Sequence, residues 1–123
     1  MKPLLLTIAL ILVASPGLRA EDDAHADALF QKLLAAQVAK DYDAFVADAS
    51  LGLKAALSKT QFEASSDIMT PKLTAGYEIA PLGELNQRGY EVYLYRLRFK
   101  NGGDDMLGTL SLKDGKVAGI LFR

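Results

Sequence analysis

The spacing of apolar residues changes partway along the chain. Between residues 24 and 70 apolar side chains recur every three or four positions, the period of an amphipathic helix. From residue 75 onward they mostly alternate with polar ones, the period of a strand that is covered on one face. Helices followed by strands predict an α+β domain, in which helices pack across a curved antiparallel sheet of about four strands.

Two helices are predicted in the first half of this region. The longer one covers Ala24–Lys40, and Asp22 or Asp23 can cap its start. Its apolar stripe consists of Ala26, Leu29, Phe30, Leu33, Leu34 and Val38. Asp41 is expected to cap the second, shorter helix. The apolar face of that helix consists of Tyr42, Phe45, Val46 and Ala49.

A third helix is predicted from Gln61 to about Met69. Thr60 and Glu63 have the spacing of a capping box, in which each side chain binds the backbone N–H of the other residue. Pro71 is expected to end the helix, because the residue before a proline is pushed out of helical geometry.

The remaining residues predict strands. Ala75–Leu85 is expected to form an edge strand or a bent strand with a bulge, because Pro81 and Gly83 interrupt its pattern. Tyr90–Lys100 carries the clearest alternation in the chain. One face of that strand consists of Tyr93, Tyr95, Leu97 and Phe99, and the other of Val92, Leu94, Arg96 and Arg98.

A β-hairpin is predicted at the end of the chain. After a turn over residues 101–104, strands over 106–113 and 116–123 flank Asp114-Gly115, a pair that favours a two-residue hairpin turn. Pairing Lys113 with Lys116 sets an expected register. It places Leu112 opposite Val117, Ser111 opposite Ala118, Leu110 opposite Gly119, Thr109 opposite Ile120, Gly108 opposite Leu121 and Leu107 opposite Phe122.

The first 20 residues are typical of a secretory signal peptide. Lys2 precedes an apolar run over residues 4–14, and Ser15-Pro16-Gly17 breaks the run before Ala20. The run is shorter than the roughly 20 residues that span a bilayer, so no permanent membrane anchor is expected. Cleavage after Ala20 would leave one domain over residues 21–123. No cysteine stands at the junction to accept a lipid.

The composition of the chain limits the cellular compartments and partners to be expected. The chain has no cysteine, so an exported domain must be stable without disulfides, which favours a bacterial periplasmic or secreted protein. Loss of Lys2 and Arg19 with the leader would leave 12 basic and 15 acidic residues, a net charge of −3. Such a domain has no electrostatic basis for binding nucleic acid.

No catalytic, metal or cofactor motif is expected. His25 is the only histidine, so a transition-metal site is not predicted and a catalytic triad lacks local support. Asp104 and Asp105 belong to a polar turn rather than to a calcium loop, which needs six or more oxygens.

The candidate ligand-binding residues lie on the Tyr90–Lys100 strand. Tyr93 and Tyr95 could line a pocket with hydroxyl donors, while Arg96 and Arg98 on the other face could bind an anion or a partner's carboxylate. The alternative is that the tyrosines are core residues and the arginines cover a solvated face. Catalysis there would need a carboxylate near a tyrosine. Glu78, Glu84 and Glu91 are the nearest in sequence and are expected to face solvent.

Three stretches resemble one family. They are Lys40-Asp41-Tyr42-Asp43-Ala44-Phe45, Ser58-Lys59-Thr60-Gln61-Phe62 and the closing run over residues 114–122. They are similar to the cone-shaped domains of the nuclear transport factor 2-like superfamily, and within it to exported bacterial proteins of the domain-of-unknown-function group numbered 3887. The resemblance implies a pocket at the open end of the cone and no particular activity.

Three functions follow as hypotheses. The first is a non-catalytic periplasmic domain that binds a small apolar ligand or a protein in its pocket or on its exposed sheet face. The second is a small enzyme of isomerase or dehydratase type, which requires a carboxylate or second polar group within hydrogen-bond reach of Tyr93 or Tyr95. The third is a self-associating accessory protein that forms a homodimer through the sheet face.

Overall fold

The computed structural model describes residues 22–123, so the predicted leader and its cleavage site lie outside the described residues. Four helices precede four strands, which confirms the α+β prediction, although only three of the helices were predicted and α3 was not. The helices are α1 over residues 22–39, α2 (Tyr42–Phe45), α3 (Leu51–Ala56) and α4 (Lys59–Thr74). The strands are β1 (Tyr77–Gln87), β2 (Tyr90–Phe99), β3 (Met106–Lys113) and β4 (Lys116–Phe122).

Side-chain caps begin the three helices after α1. The Asp41 carboxylate accepts the Ala44 N–H at 3.0 Å, as predicted for α2, and Ser50 caps α3 in the same way. Ser58 caps α4 and forms the capping box with Gln61. The box predicted at Thr60 and Glu63 was therefore wrong by two residues, since the extended backbone that a cap needs lies at Ser58.

Helix α4 continues through Pro71, so the predicted end near Met69 was also wrong. The backbone carbonyl that loses its partner at Pro71 belongs to Asp67, and both residues are exposed, so water can hydrate it. Leu73, one turn after Met69, is buried in the core. Burial of that last turn outweighs the lost hydrogen bond and keeps the helix going to Thr74.

The sheet is a curved, unclosed antiparallel meander in the order β1-β2-β3-β4. β1 is an edge strand with a bulge between Pro81 and Gly83, as its interrupted pattern predicted. The proline is tolerated because an edge strand leaves part of its backbone unpaired. The strand at the other edge of the sheet, β4, is partly covered, because the backbone of Val117 makes 2.8 Å hydrogen bonds with Asp48 and Ser50.

The hairpin register departs from the predicted one after its second pair. Lys113 lies opposite Lys116 and Leu112 opposite Val117, but a bulge at Ala118 then shifts Ser111 to Gly119 and Leu110 to Ile120. The shift turns Ile120 and Phe122 toward the core, on the same side as Val117. A regular ladder would instead have turned both side chains to the outer face, so burial of apolar surface favours the bulge.

The core lies between α1, α4 and one face of the sheet. The predicted stripe of α1 is buried except for Val38, which is 37% exposed, while the neighbouring Gln37 is only 2% exposed. Gln37 follows Ala26 by about three full turns and so lies at the centre of the buried face. No helix within residues 22–123 is long and apolar enough to cross a membrane.

Phe30 fixes α1 to the middle of the sheet. Its ring is fully buried and stacks on Tyr95 with centroids 4.2 Å apart, while Gly108 of β3 faces its edge. A Cβ atom at position 108 would come within 2.6 Å of Phe30 Cζ. The glycine therefore provides the space in which the helix can approach the sheet.

We expect Gly108→Ala to destabilise the domain by about 1–3 kcal/mol, because the buried Phe30 ring must shift. Urea unfolding followed by circular dichroism measures the change. Gly119→Ala is the matched control on β4, since a Cβ there would meet its nearest neighbour at 3.8 Å, an ordinary contact. Equal stability of the two variants would contradict the proposed role of Gly108.

Candidate functional site

Two cavities border the helix–sheet interface. The first, called here the tyrosine pocket, has a volume of about 260 Å³ and lies beside the bulge in β1. α1, β1 and β2 contribute its lining. These residues are Asp23, Asp27, Pro81, Gly83, Glu84, Tyr93, Leu94 and Tyr95.

Both tyrosines of this pocket donate hydrogen bonds to carboxylates. The Tyr95 hydroxyl donates to Asp27 Oδ1 at 2.8 Å, and the Tyr93 hydroxyl donates to Glu91 Oε2 at 3.1 Å. Burial raises the pKa of both phenols above the ordinary value, and the hydrogen bonds to the carboxylates raise it further. The two hydroxyls therefore stay protonated and act as donors at physiological pH.

The two tyrosines were predicted on the covered face of β2, and they lie there, both buried. Asp27 was not predicted as a site residue. That residue follows Ala26 at the flank of the α1 stripe, close enough to the sheet to accept from a long tyrosine side chain. Glu91 is exposed, as expected, yet it shares a face with Tyr93 two residues later and reaches its hydroxyl.

The two arginines lie on the opposite face of β2, away from the tyrosine pocket. Arg98 forms an exposed ion pair with Asp105 at 3.2 Å, which raises the pKa of Arg98 and lowers that of Asp105. The Nε of Arg96 is buried and has no hydrogen-bond partner within residues 22–123. The structure thus separates the candidate residues into a tyrosine pair and an arginine pair that share no site.

The second cavity, called here the apolar cavity, has a volume of about 290 Å³. It lies where α2, α3 and α4 meet the ends of β3 and β4. No charged side chain of the described chain lines it. Its lining consists of Gln37, Phe45, Leu53, Leu57, Phe62, Ser65, Ile68, Met69, Met106, Ile120, Leu121 and Phe122.

Polar groups at this cavity come from a short hydrogen-bonded chain between α1 and α4. The buried Ser66 hydroxyl donates to Gln37 Oε1 at 2.8 Å, and Gln37 Nε2 donates to Ser65 Oγ at 3.3 Å. Thr70 Oγ1 also donates to the Gln37 carbonyl at 3.3 Å. These contacts explain how a glutamine can replace an apolar residue at the centre of the α1 face.

None of the residues at the apolar cavity was singled out from the sequence as a site residue. Their apolar spacing identified most of them only as core. A signal was nevertheless present at Gln37, a polar residue about three turns from Ala26 in the middle of an apolar stripe. Such a residue must find buried hydrogen-bond partners, and Ser65 and Ser66 on the facing helix supply them.

Comparison of the sequence with protein-family models and with curated proteins gives no match. The residues that line the two cavities therefore indicate what each cavity can bind. The tyrosine pocket offers donors and carboxylates, whereas the apolar cavity offers hydrocarbon surface with a few neutral polar groups. Within residues 22–123 no group of three or more histidine, cysteine, aspartate or glutamate side chains is placed to hold a metal ion.

We expect Tyr95→Phe to lower the free energy of unfolding by about 1–2 kcal/mol, because the Asp27 carboxylate loses its buried donor. A double-mutant cycle with Asp27→Ala isolates this hydrogen bond from the effect of each truncation. Urea unfolding at neutral pH measures all four proteins. Tyr90→Phe is the control, since the Tyr90 hydroxyl makes no hydrogen bond within residues 22–123. Additive effects of the two substitutions would contradict the coupling.

Proposed function

We propose that this chain is an exported, non-catalytic domain that binds a small apolar ligand in the apolar cavity. The observation that carries the proposal is the lining of that cavity, ten apolar side chains with Gln37 and Ser65. Binding sites for small molecules are concave and mostly apolar, with a few polar groups that orient the ligand. A volume of about 290 Å³ lies at the lower end for such sites, so the ligand is small.

Two exposed apolar side chains favour an entrance to the apolar cavity from the surface. Ile68 of α4 is 66% exposed and Leu121 of β4 is 47% exposed, and both line the cavity. Large apolar side chains at the rim of a concave surface favour the approach of an apolar molecule. We also propose that the domain is exported and that it has the cone-shaped fold of the nuclear transport factor 2-like superfamily. The predicted leader supports export, and the three stretches that resemble the superfamily support the fold.

We expect the neutral fluorophore N-phenyl-1-naphthylamine to bind the domain with increased fluorescence. Ile68→Glu is expected to lower its affinity about tenfold or more, because a charge at the entrance must be desolvated on binding. Leu51→Glu is the matched control, since Leu51 is 84% exposed and lies outside the cavity lining. An equal loss in both variants, or no binding by the unmodified domain, would contradict the proposal.

A small enzyme of isomerase type is the second candidate, and the Tyr95–Asp27 contact favours it. A carboxylate 2.8 Å from a protonated phenol satisfies the requirement for a base beside a donor. Against it, the single hydroxyl proton of Tyr95 is already donated to Asp27 and is not directed at a substrate. The pocket would have to rearrange before both groups could act on one molecule.

The isomerase hypothesis predicts turnover of a small β,γ-unsaturated ketone. Asp27 would take the proton between the carbonyl and the double bond and return it to the far alkene carbon. Conversion of cyclohex-3-en-1-one to its conjugated isomer, followed by ultraviolet absorbance, measures the rate. Asp27→Asn is expected to abolish it, while Asp43→Asn, an exposed change on α2, leaves it unaltered. A rate for the unmodified domain no greater than that of buffer would exclude this activity.

A further inference from the structure

The hydrogen-bonded chain at the apolar cavity ends in an unused donor. Ser66 donates to Gln37, which donates in turn to Ser65 Oγ, so the Ser65 oxygen already accepts one hydrogen bond. The Ser65 hydroxyl proton has no acceptor within residues 22–123. Ser65 is half-buried and lines the cavity, whereas Ser66 is fully buried behind it.

Gln37 determines which group donates and which accepts in this series of hydrogen bonds. The fully buried Ser66 hydroxyl needs an acceptor, which Gln37 Oε1 supplies, so Nε2 faces Ser65 and leaves the Ser65 hydroxyl to act as a donor elsewhere. Successive hydrogen bonds also polarise one another, which makes the terminal hydroxyl a better donor. A ligand atom that meets Ser65 is therefore most favourable as an acceptor.

The charge of the ligand follows from the rest of the lining. No lysine, arginine or histidine of the described chain contributes to the cavity, so a carboxylate or phosphate would be desolvated there without a counter-charge. An oxygen in a ketone, ester or ether accepts a hydrogen bond at a much smaller desolvation cost. The surrounding apolar side chains would contact the hydrocarbon part of the same molecule.

We propose that the apolar cavity selects neutral molecules that carry a carbonyl or ether oxygen, and that Ser65 donates the hydrogen bond that recognises this oxygen. The inference rests on the proposed function, since it names the class of ligand for the same cavity. Ser66 lies behind the cavity wall, and Gln37 contributes to that wall. They orient the Ser65 hydroxyl.

A matched pair of ligands tests the selection. Octan-2-one and 2-methyloct-1-ene have nearly the same shape, but the first presents a carbonyl oxygen where the second presents a methylene group. Titration of the isotope-labelled domain, followed by amide chemical shifts, gives both affinities and locates the binding site. We expect the ratio of the ketone's affinity to the alkene's affinity to be about threefold to tenfold higher in the unmodified domain than in Ser65→Ala, the usual worth of one neutral hydrogen bond.

Ser65→Ala is expected to bind the alkene with unchanged affinity and the ketone about threefold to tenfold more weakly, because the ketone oxygen then lacks its donor. Alanine favours the helix at this half-buried position, so the variant should fold, and its amide spectrum verifies this. Ser111→Ala, on the outer face of β3, is the control and should leave both affinities unchanged. Octanoate provides a charged ligand of similar length and is expected to bind more weakly than octan-2-one.

The outcomes separate the two proposals. A Ser65→Ala change that alters the two affinities by the same factor, or alters neither, would overturn the selection by Ser65 and leave the apolar cavity as a binding site. Tighter binding of octanoate than of octan-2-one would overturn the choice of a neutral ligand. Shifts confined to residues outside the cavity, or absent for every compound, would overturn the proposed function itself.

Discussion

The stacking of Phe30 on Tyr95 is the contact on which the arrangement of this domain depends. The two rings lie 4.2 Å apart at an angle of 15°, and both are almost completely buried. Gly108 allows the Phe30 ring to rest directly against β3. The contact sets the distance between α1 and the sheet. It also brings Asp27, one turn before Phe30, to the Tyr95 hydroxyl, so the tyrosine pocket follows from the same packing.

The other end of α1 is attached to α4 by polar contacts. Apart from the tyrosines, Gln37 and Ser66 are the two buried polar side chains within residues 22–123, and they bind each other. A buried amide is costly unless its donors and acceptors are satisfied, so this contact aligns the two helices more specifically than apolar packing could. The apolar cavity lies beside the pair. The Ser65 hydroxyl at this cavity is therefore held in place by the same hydrogen bonds that join the two helices.

The two edge strands each contain a bulge, with different consequences. The irregularity at Leu82 in β1 lies beside the tyrosine pocket, to which Pro81, Gly83 and Glu84 contribute. The bulge at Ala118 in β4 reverses the direction of the later side chains and brings Ile120 and Phe122 to the apolar cavity. One inserted residue on each edge therefore shapes one cavity.

The sequence by itself determined the order and type of every element except the short helix α3, because helical and strand periods are local properties of a chain. The spacing of the α1 stripe, the alternation of Tyr90–Lys100 and the Asp114-Gly115 turn each predicted the element observed. The faces of β2, with Tyr93 and Tyr95 inward and Arg96 and Arg98 outward, follow from the same two-residue period.

Tertiary structure decided the features that local patterns do not contain. Helix α4 continues past Pro71 because Leu73 is buried. The β4 register shifts because Ile120 and Phe122 then pack against the core. Asp27 meets Tyr95 across 68 positions of sequence, and Gln37 meets Ser65 and Ser66 across almost 30. Such contacts depend on how elements pack, since the gain from burial is shared among residues that are distant in the chain. Both cavities are built from contacts of this kind.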